Sequence, residues 1–299
     1  DVTSRRTGAG FAKRVLALLP EEANVKKTPY TATARDGYEI PIFAYHEEKG
    51  RGKGAGNDVD GQLKPAVLYL HGGGMIFGST GLFERAIKGD VDATGVAHFS
   101  VDYRVAPESP HPIPVSDCYD ALTWLHSHAR DFGIDNSRIS VRGLSAGGGL
   151  AAGVCLMARD GGLQPPIAKQ ILECPMLDDR NTEPSPSDPL SDSGLVTWSW
   201  DDNWTGWKAL LGEGVGGKRV DVYAAPARAE NLGGLPDTYV DVGTLDIFAR
   251  ECEQYVERLR EAGVKVEWHL YKGVPHGFEF RGMQSEIAKR AAANRRAAI

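Results

Sequence analysis

Gly143-Leu144-Ser145-Ala146-Gly147 decides how this 299-residue chain is read. It follows an alternating, strand-like run at 138–142 and opens an Ala/Gly/Leu run of helical character. The sequence therefore predicts strand, sharp turn and helix, with Ser145 at the turn. In such a nucleophile elbow the serine is held in a strained conformation at the mouth of a sheet. The flanking positions must be glycine because side chains there would meet neighbouring backbone. A chain this rich in glycine matches the bare pentapeptide by chance about 0.2 times, so alone it leaves an ordinary glycine turn open.

His71-Gly72-Gly73-Gly74 changes the balance. It stands directly after a second apolar strand, 66–70, and is expected by chance only about 0.01 times. Attack on an acyl carbonyl creates a negative oxygen, which backbone N–H groups stabilise only if they already point at it. Gly72 and Gly73 can bring bare N–H groups close. Ala146, first in the helix after the serine, adds another N–H and the positive end of the helix dipole. Each such donor is worth about 3–4 kcal/mol of barrier.

A serine hydroxyl needs a base, and the base an acid, in the chain order serine, acid, histidine. Of eight histidines only His269 and His276 follow Ser145. His269 lies inside an alternating strand, 264–271, whereas His276 lies in the loop Gly273-Val274-Pro275-His276-Gly277-Phe278, which favours His276. The apolar strand 238–242 ends at Gly243, and the loop after it carries Asp246, the preferred acid. Asp241, inside the strand, and Glu251, on a helix predicted over 248–261, are its rivals, read as structural and as solvent-facing or loop-supporting.

From residue 66 onward strand-like and helix-like segments alternate, which predicts an α/β fold with a mostly parallel central sheet flanked by helices. Helices are expected at 116–131, after Ser145, at 248–261 and at 285–298. Earlier, 28–35 and 38–45 alternate around Asp36-Gly37, a hairpin signal that places an antiparallel edge at the start of the sheet. The hydrophilic stretch 46–64 reads as a mobile surface loop without phosphate-binding role. Segment 190–213 breaks the rhythm and holds Trp198, Trp200, Trp204 and Trp207, four of the six tryptophans. They read as a lid, at least two of them packing between helices and one or two open to substrate contact.

Net charge of −6 argues against nucleic acid, which needs a basic patch. No run of 18 apolar residues exists, so no membrane insertion is expected. The opening Asp1-Val2-Thr3-Ser4-Arg5-Arg6 is not a signal peptide, and the expectation is a soluble, cytoplasmic protein unless a targeting segment has been removed. Cys118, Cys155, Cys174 and Cys252 lack zinc or redox spacing and read as buried thiols. His126 and His128 do not share a helical face. No metal and no cofactor are expected. Asp178-Asp179-Arg180 and Asp201-Asp202 read as loop ion pairs and helix caps.

The chain resembles the hormone-sensitive-lipase-like (family IV) carboxylesterases of the α/β-hydrolase superfamily over nearly its whole length. Besides the two glycine motifs, the resemblance rests on Asp102-Tyr103-Arg104-Val105-Ala106-Pro107-Glu108 with Pro112, Pro114 and Asp117, and on Pro175-Met176-Leu177-Asp178-Asp179-Arg180. It continues through Tyr223-Ala224-Ala225-Pro226-Ala227-Arg228, Gly243-Thr244-Leu245-Asp246 and His276-Gly277-Phe278. Leu144, where the family often has Asp or Thr, and Ile247, where proline is common, depart from the pattern.

The resemblance implies one α/β-hydrolase domain over 1–299, with a helical cap from about 1–27, including a helix at 10–19, and about 188–225. It implies Ser145 as nucleophile, His276 as base then acid, Asp246 as orienting acid, and Gly72, Gly73 and Ala146 as oxyanion donors. His71, Asp102, Tyr103, Arg104 and Glu108 are expected to support the oxyanion loop. The implied activity is hydrolysis of short- to medium-chain carboxylic esters, the partner a small-molecule ester, and the assembly a homodimer. Hydrolysis of an amide, lactone or carbamate is the alternative within the enzyme class. A non-catalytic small-molecule receptor, as the gibberellin receptors are on this fold, is the alternative outside it, and His276 argues against that.

Overall fold

The alternation read from the sequence becomes nine α-helices, three short 3-10 helices and eight strands among the described residues, namely 1–8, 10–48, 62–185, 188–191 and 193–299 of a computed structural model. Of the surface loop expected over 46–64, residues 49–61 lie outside them. In chain order the elements are α1 (Val2–Gly8), α2 (Gly10–Leu16), β1 (Val25–Thr33), β2 (Glu39–Glu47), β3 (Lys64–Leu70), α3 (Thr80–Thr94), β4 (Ala97–Val101) and α4 (Ile113–His128). They continue with β5 (Ile134–Leu144), α5 (Ala146–Asp160), β6 (Lys169–Glu173), α6 (Trp200–Leu211), β7 (Asp237–Gly243), α7 (Ala249–Glu261), β8 (Val266–Tyr271), α8 (Phe278–Arg281) and α9 (Glu286–Ala298). The helix expected at 10–19 ends at Leu16, short of Pro20.

All eight strands form one sheet in the order β1-β2-β4-β3-β5-β6-β7-β8. β2 runs antiparallel to both neighbours and the remaining pairs are parallel. The β1–β2 hairpin turns at Asp36-Gly37. Gly37 takes a left-handed φ of 84°, and the Asp36 carboxylate accepts the Tyr38 N–H at 3.1 Å, an Asx turn. Central strands are covered on both faces, which is why 66–70 is an unbroken apolar run rather than an alternating one. Helices turn single apolar stripes inward: Phe83, Ile87 and Val91 on α3, and Cys252, Tyr255, Val256 and Leu259 on α7. No helix among the described residues is long and apolar enough to cross a membrane.

Beneath the carboxyl ends of the central strands lies a buried ionic cluster. Arg295 on α9 donates to both carboxylate oxygens of Asp241 on β7 at 2.6 and 2.8 Å and to Glu279 on α8 at 2.8 Å. It also stands 3.3 Å from Glu173 on β6. Arg142 on β5 bonds Glu173 and, at 2.7 Å, Asp90 on α3. Burial and Arg142 together lower His98 to about 4, so this neighbour is neutral at pH 7. The cluster docks the C-terminal helix against the strands that end at the site described next. Removing one partner of such a group strands the others, a cost of about 3–5 kcal/mol. Arg295→Met is accordingly expected to reduce unfolding stability by that much, read from its urea transition, well beyond the effect of the exposed change Lys265→Met.

Candidate active site

The carboxyl end of β5 passes into α5 through Ser145, whose φ of 58° and ψ of −118° are strained for a side-chain-bearing residue. The strain is held by neighbouring backbone. Ser145 donates its N–H to Glu173 O at 2.8 Å, and its carbonyl accepts from Gly148, Gly149 and Met176. The glycines of the motif have no room for anything larger. A Cβ on Gly143 would lie 1.9 Å from Gly147 O, and one on Gly147 would lie 2.1 Å from Leu70 O and 2.5 Å from His71 O. Two strand ends and the helix start are thus packed backbone on backbone, and the serine hydroxyl is turned outward.

His276 and Asp246 arrive on two loops that are joined to each other. Leu245 donates to Val274 O at 3.0 Å, Thr244 donates to Tyr271 O at 2.9 Å, and Gly273 donates to the Thr244 hydroxyl at 2.8 Å. Gly243 is needed because a Cβ there would sit 2.1 Å from Val274 O. The result is a continuous relay. The Ser145 hydroxyl lies 2.9 Å from His276 Nε2, and His276 Nδ1 lies 2.6 Å from Asp246 Oδ2. The other Asp246 oxygen accepts the Phe248 N–H at 3.0 Å. With the carboxylate as acceptor, Nδ1 carries the proton and Nε2 faces the hydroxyl as an acceptor. Burial works against charging the imidazole, but Asp246 outweighs it, and the His276 pKa is raised above its ordinary value.

The loop His71-Gly72-Gly73-Gly74 runs beside the serine. A Cβ on Gly72 would be 3.1 Å from Leu144 O and 3.4 Å from Ser145 Cβ, and one on Gly73 would strike Phe77 O at 2.0 Å. Gly73 and Gly74 take φ of 136° and 58°. Among the described residues, no loop carbonyl accepts a hydrogen bond from the backbone N–H of Gly72, Gly73 or Ala146. His71 itself is fully buried and stacked on Tyr103 at 4.1 Å, with Nδ1 3.0 Å from Gly72 O. Burial lowers its pKa, so it holds the loop as a neutral ring. Ser145, His276, Gly72 and Gly73 open into a largely apolar cavity of about 180 Å³, whose walls include Leu16, Phe83, Leu144, Trp198 and Phe280.

A sequence profile of the α/β-hydrolase fold matches residues 67–280, from β3 through the histidine loop. The chain belongs to this family, in its hormone-sensitive-lipase-like branch. Esterase LipI of Mycobacterium tuberculosis is 35% identical over 219 residues, 72% of this chain and 65% of that protein. The chain thus spans just under two thirds of that relative's length. The arylesterase of Saccharolobus solfataricus is 30% identical over 256 residues, 81% of this chain and 74% of that one. Among solved structures, a bacterial heroin esterase is 36% identical with a TM-score of 0.86, covering 99% of this chain and 90% of that chain.

In this α/β-hydrolase the rival residues fall elsewhere. Asp241 serves the buried cluster, and His269 pairs with Glu267 at 2.8 Å. Glu251 does not face solvent. It is buried, accepting from Leu177 N–H at 2.6 Å and Asn181 Nδ2 at 2.7 Å, and burial pushes its carboxyl well above the usual range. Tyr103 donates to His71 O at 2.6 Å and so holds the glycine loop, whereas Asp102 accepts from Thr80 N–H at 2.8 Å, at the start of α3. Arg104 turns instead to Asp117 and Asp36. Glu108 binds Arg6, whose Nε reaches Ile76 O, so its support is indirect. Asp178 pairs with Arg180, Asp179 with Arg228, and Asp202 completes a capping box with Ser199.

Trp200 and Trp207 are buried, Trp204 is exposed, and Trp198 lines the cavity. The sequence reading missed Thr197, whose hydroxyl donates to His276 O at 2.6 Å, and Asn181, which donates to Ile247 O at 2.9 Å beside Asp246. Lone polar residues in irregular segments carry no pattern that would have marked them.

Opposed contributions to one imidazole can be separated by titration. In wild type the labelled His276 ring is expected to titrate by NMR above the ordinary value of about 6.5. In Asp246→Asn the main opposition to burial is removed, with Glu279 still raising and Arg295 lowering the pKa, and the midpoint is expected to fall below that of wild type.

Proposed function

We propose that the protein is a serine carboxylesterase in which Ser145, His276 and Asp246 act as the catalytic triad and Gly72, Gly73 and Ala146 form the oxyanion hole. The observation that carries the reading is the unbroken Ser145–His276–Asp246 hydrogen-bonded relay beside a glycine loop. His276 Nε2 takes the hydroxyl proton as Ser145 Oγ bonds to the ester carbonyl carbon. The carbonyl oxygen gathers negative charge against the three backbone N–H groups and the N-terminus of the 15-residue α5. Collapse of the tetrahedral intermediate breaks the ester C–O bond, and Nε2 returns its proton to the departing alcohol. Water, deprotonated by the same nitrogen, then releases the acid and restores the serine.

α1, α2 and the segment 188–225 are proposed to form one cap over this site. Arg5 on α1 donates a hydrogen bond to Asp201 and forms an ion pair at 2.7 Å with Asp202, both on α6. Ala12, Val15 and Leu16 of α2 reach the cavity wall. Thr197 ties the same segment to the histidine loop, and Trp198 lies so close to Gly74 that a Cβ there would meet its ring at 2.3 Å. The small, apolar cavity supports short- to medium-chain acyl groups. Homodimer formation through the free edge of β8, where Leu270 is exposed, is proposed with it, and sedimentation tests it.

Ser145→Ala is expected to reduce turnover of nitrophenyl acetate by about 10⁴-fold or more, and Asp246→Asn by about 10⁴-fold, each without loss of fold. Wild-type activity should be present above the His276 pKa and disappear as pH falls through it, because only the neutral ring accepts the serine proton. A second measurement sets the acyl range. Across nitrophenyl esters from acetate to palmitate, activity should peak at short or medium length, and a maximum at palmitate would refute the size reading.

A further inference from the structure

Cys174 follows β6 directly and takes no part in the relay, yet it is the described cysteine that sits against it. Its φ of 35° is left-handed, a conformation that costs a side-chain-bearing residue energy. Its N–H donates to Asp241 O at 2.7 Å, which holds it there, and the residue is 4% exposed. The Cys174 sulfur, an Asp246 carboxylate oxygen and a His276 ring nitrogen all lie within 4.8 Å of one another. One thiol, one carboxylate and one imidazole form a ligand set suited to a borderline-soft divalent cation rather than to calcium or magnesium, which prefer oxygen.

We propose that Cys174, Asp246 and His276 form an inhibitory site for a thiophilic divalent cation such as Zn²⁺. Zinc takes sulfur at about 2.3 Å and nitrogen or oxygen at about 2.1 Å, so tetrahedral neighbours stand about 3.4–3.6 Å apart. Nδ1 and Oδ2, now 2.6 Å apart, must open slightly, and the sulfur must close in, shifts on the order of 1 Å by that geometry. The cation then occupies the place of the shared proton. The metal–sulfur, metal–nitrogen and metal–oxygen bonds form as the thiol releases its proton to water and the Nδ1 proton relocates to Nε2. No oxidation is involved. Thiolate and carboxylate balance the 2+ charge in a buried place that would not hold it unpaired. With Nε2 carrying a proton, the ring no longer accepts one from Ser145, so the occupied protein is inactive and removal of the metal restores it. This inhibition rests on the triad reading above, whereas the binding site itself does not.

Co²⁺ reports the site by spectroscopy. Wild type titrated with Co²⁺ is expected to develop a thiolate-to-metal charge-transfer band at one equivalent, present also in Ser145→Ala and in Cys252→Ser, and absent in Cys174→Ser and Cys174→Ala. Losing even a group that only hydrogen-bonds a metal ligand costs such sites about 10- to 100-fold in affinity, so loss of the sulfur itself should raise the Zn²⁺ concentration for half-inhibition by at least about 100-fold while turnover without metal persists. EDTA should reverse the inhibition in wild type. Absence of the band from wild type, or its persistence in both Cys174 variants, overturns the site whatever the ester activity proves to be. A band without inhibition overturns the inhibitory role.

Discussion

Backbone packed against backbone at the start of α5 is the constraint on which the rest of this structure depends. Gly143 meets Gly147 across the turn, and Gly147 meets the carbonyls of Leu70 and His71, so the ends of β3 and β5 approach closer than any side chain allows. That approach does two things at once. It holds Ser145 at its strained φ, and it brings the glycine loop after β3 alongside the serine. The cost, about 1–3 kcal/mol for such a conformation, is borne by a nearly fully buried helix on a central strand, where packing is strong enough to over-determine it.

A second layer of constraint fixes the other two members of the relay. The loops after β7 and β8 are neighbours because their strands are paired in parallel, with Gly243 opposite Tyr271. Parallel strands place both loops at the same edge of the sheet as Ser145, and the hydrogen bonds between Leu245, Thr244 and the histidine loop remove their remaining freedom. Residues far apart in the chain thereby meet within hydrogen-bond distance. Below them, Arg142, Glu173, Asp241, Glu279 and Arg295 link β5, β6, β7, α8 and α9, two of which, β5 and β7, lead directly to the site. A buried ionic cluster is a costly device unless every member is paired, and here it ties the last helix of the chain to the strands that lead to Ser145 and Asp246 and to the short helix that follows His276.

That Ser145, Asp246, His276, Gly72 and Gly73 come together was legible in the sequence, because each stands at the end of a strand-like run or in a glycine motif whose spacing has a stereochemical cause. The hairpin at Asp36-Gly37 was legible for the same reason: one dipeptide supplies both the left-handed turn and its side-chain cap. Glu251 was misread in part. Its place on a helix is visible in the chain, but the face that is covered depends on Leu177 and Asn181, from another part of the molecule. The departure at Ile247 is likewise a matter of neighbours, since its carbonyl accepts from Asn181.

The sequence by itself determined the parallel sheet, the strained serine turn and the identity of the polar groups that follow particular strands, because hydrophobic period, glycine placement and strand-end position are local properties. Only the tertiary structure decided that Thr197 touches the histidine loop, that Arg295 anchors three acids, and that Cys174 stands beside Asp246 and His276. Those contacts join residues 16 to 122 positions apart whose side chains carry no periodic signature. Their meeting is set by strand order and loop closure, which no stretch of chain encodes alone.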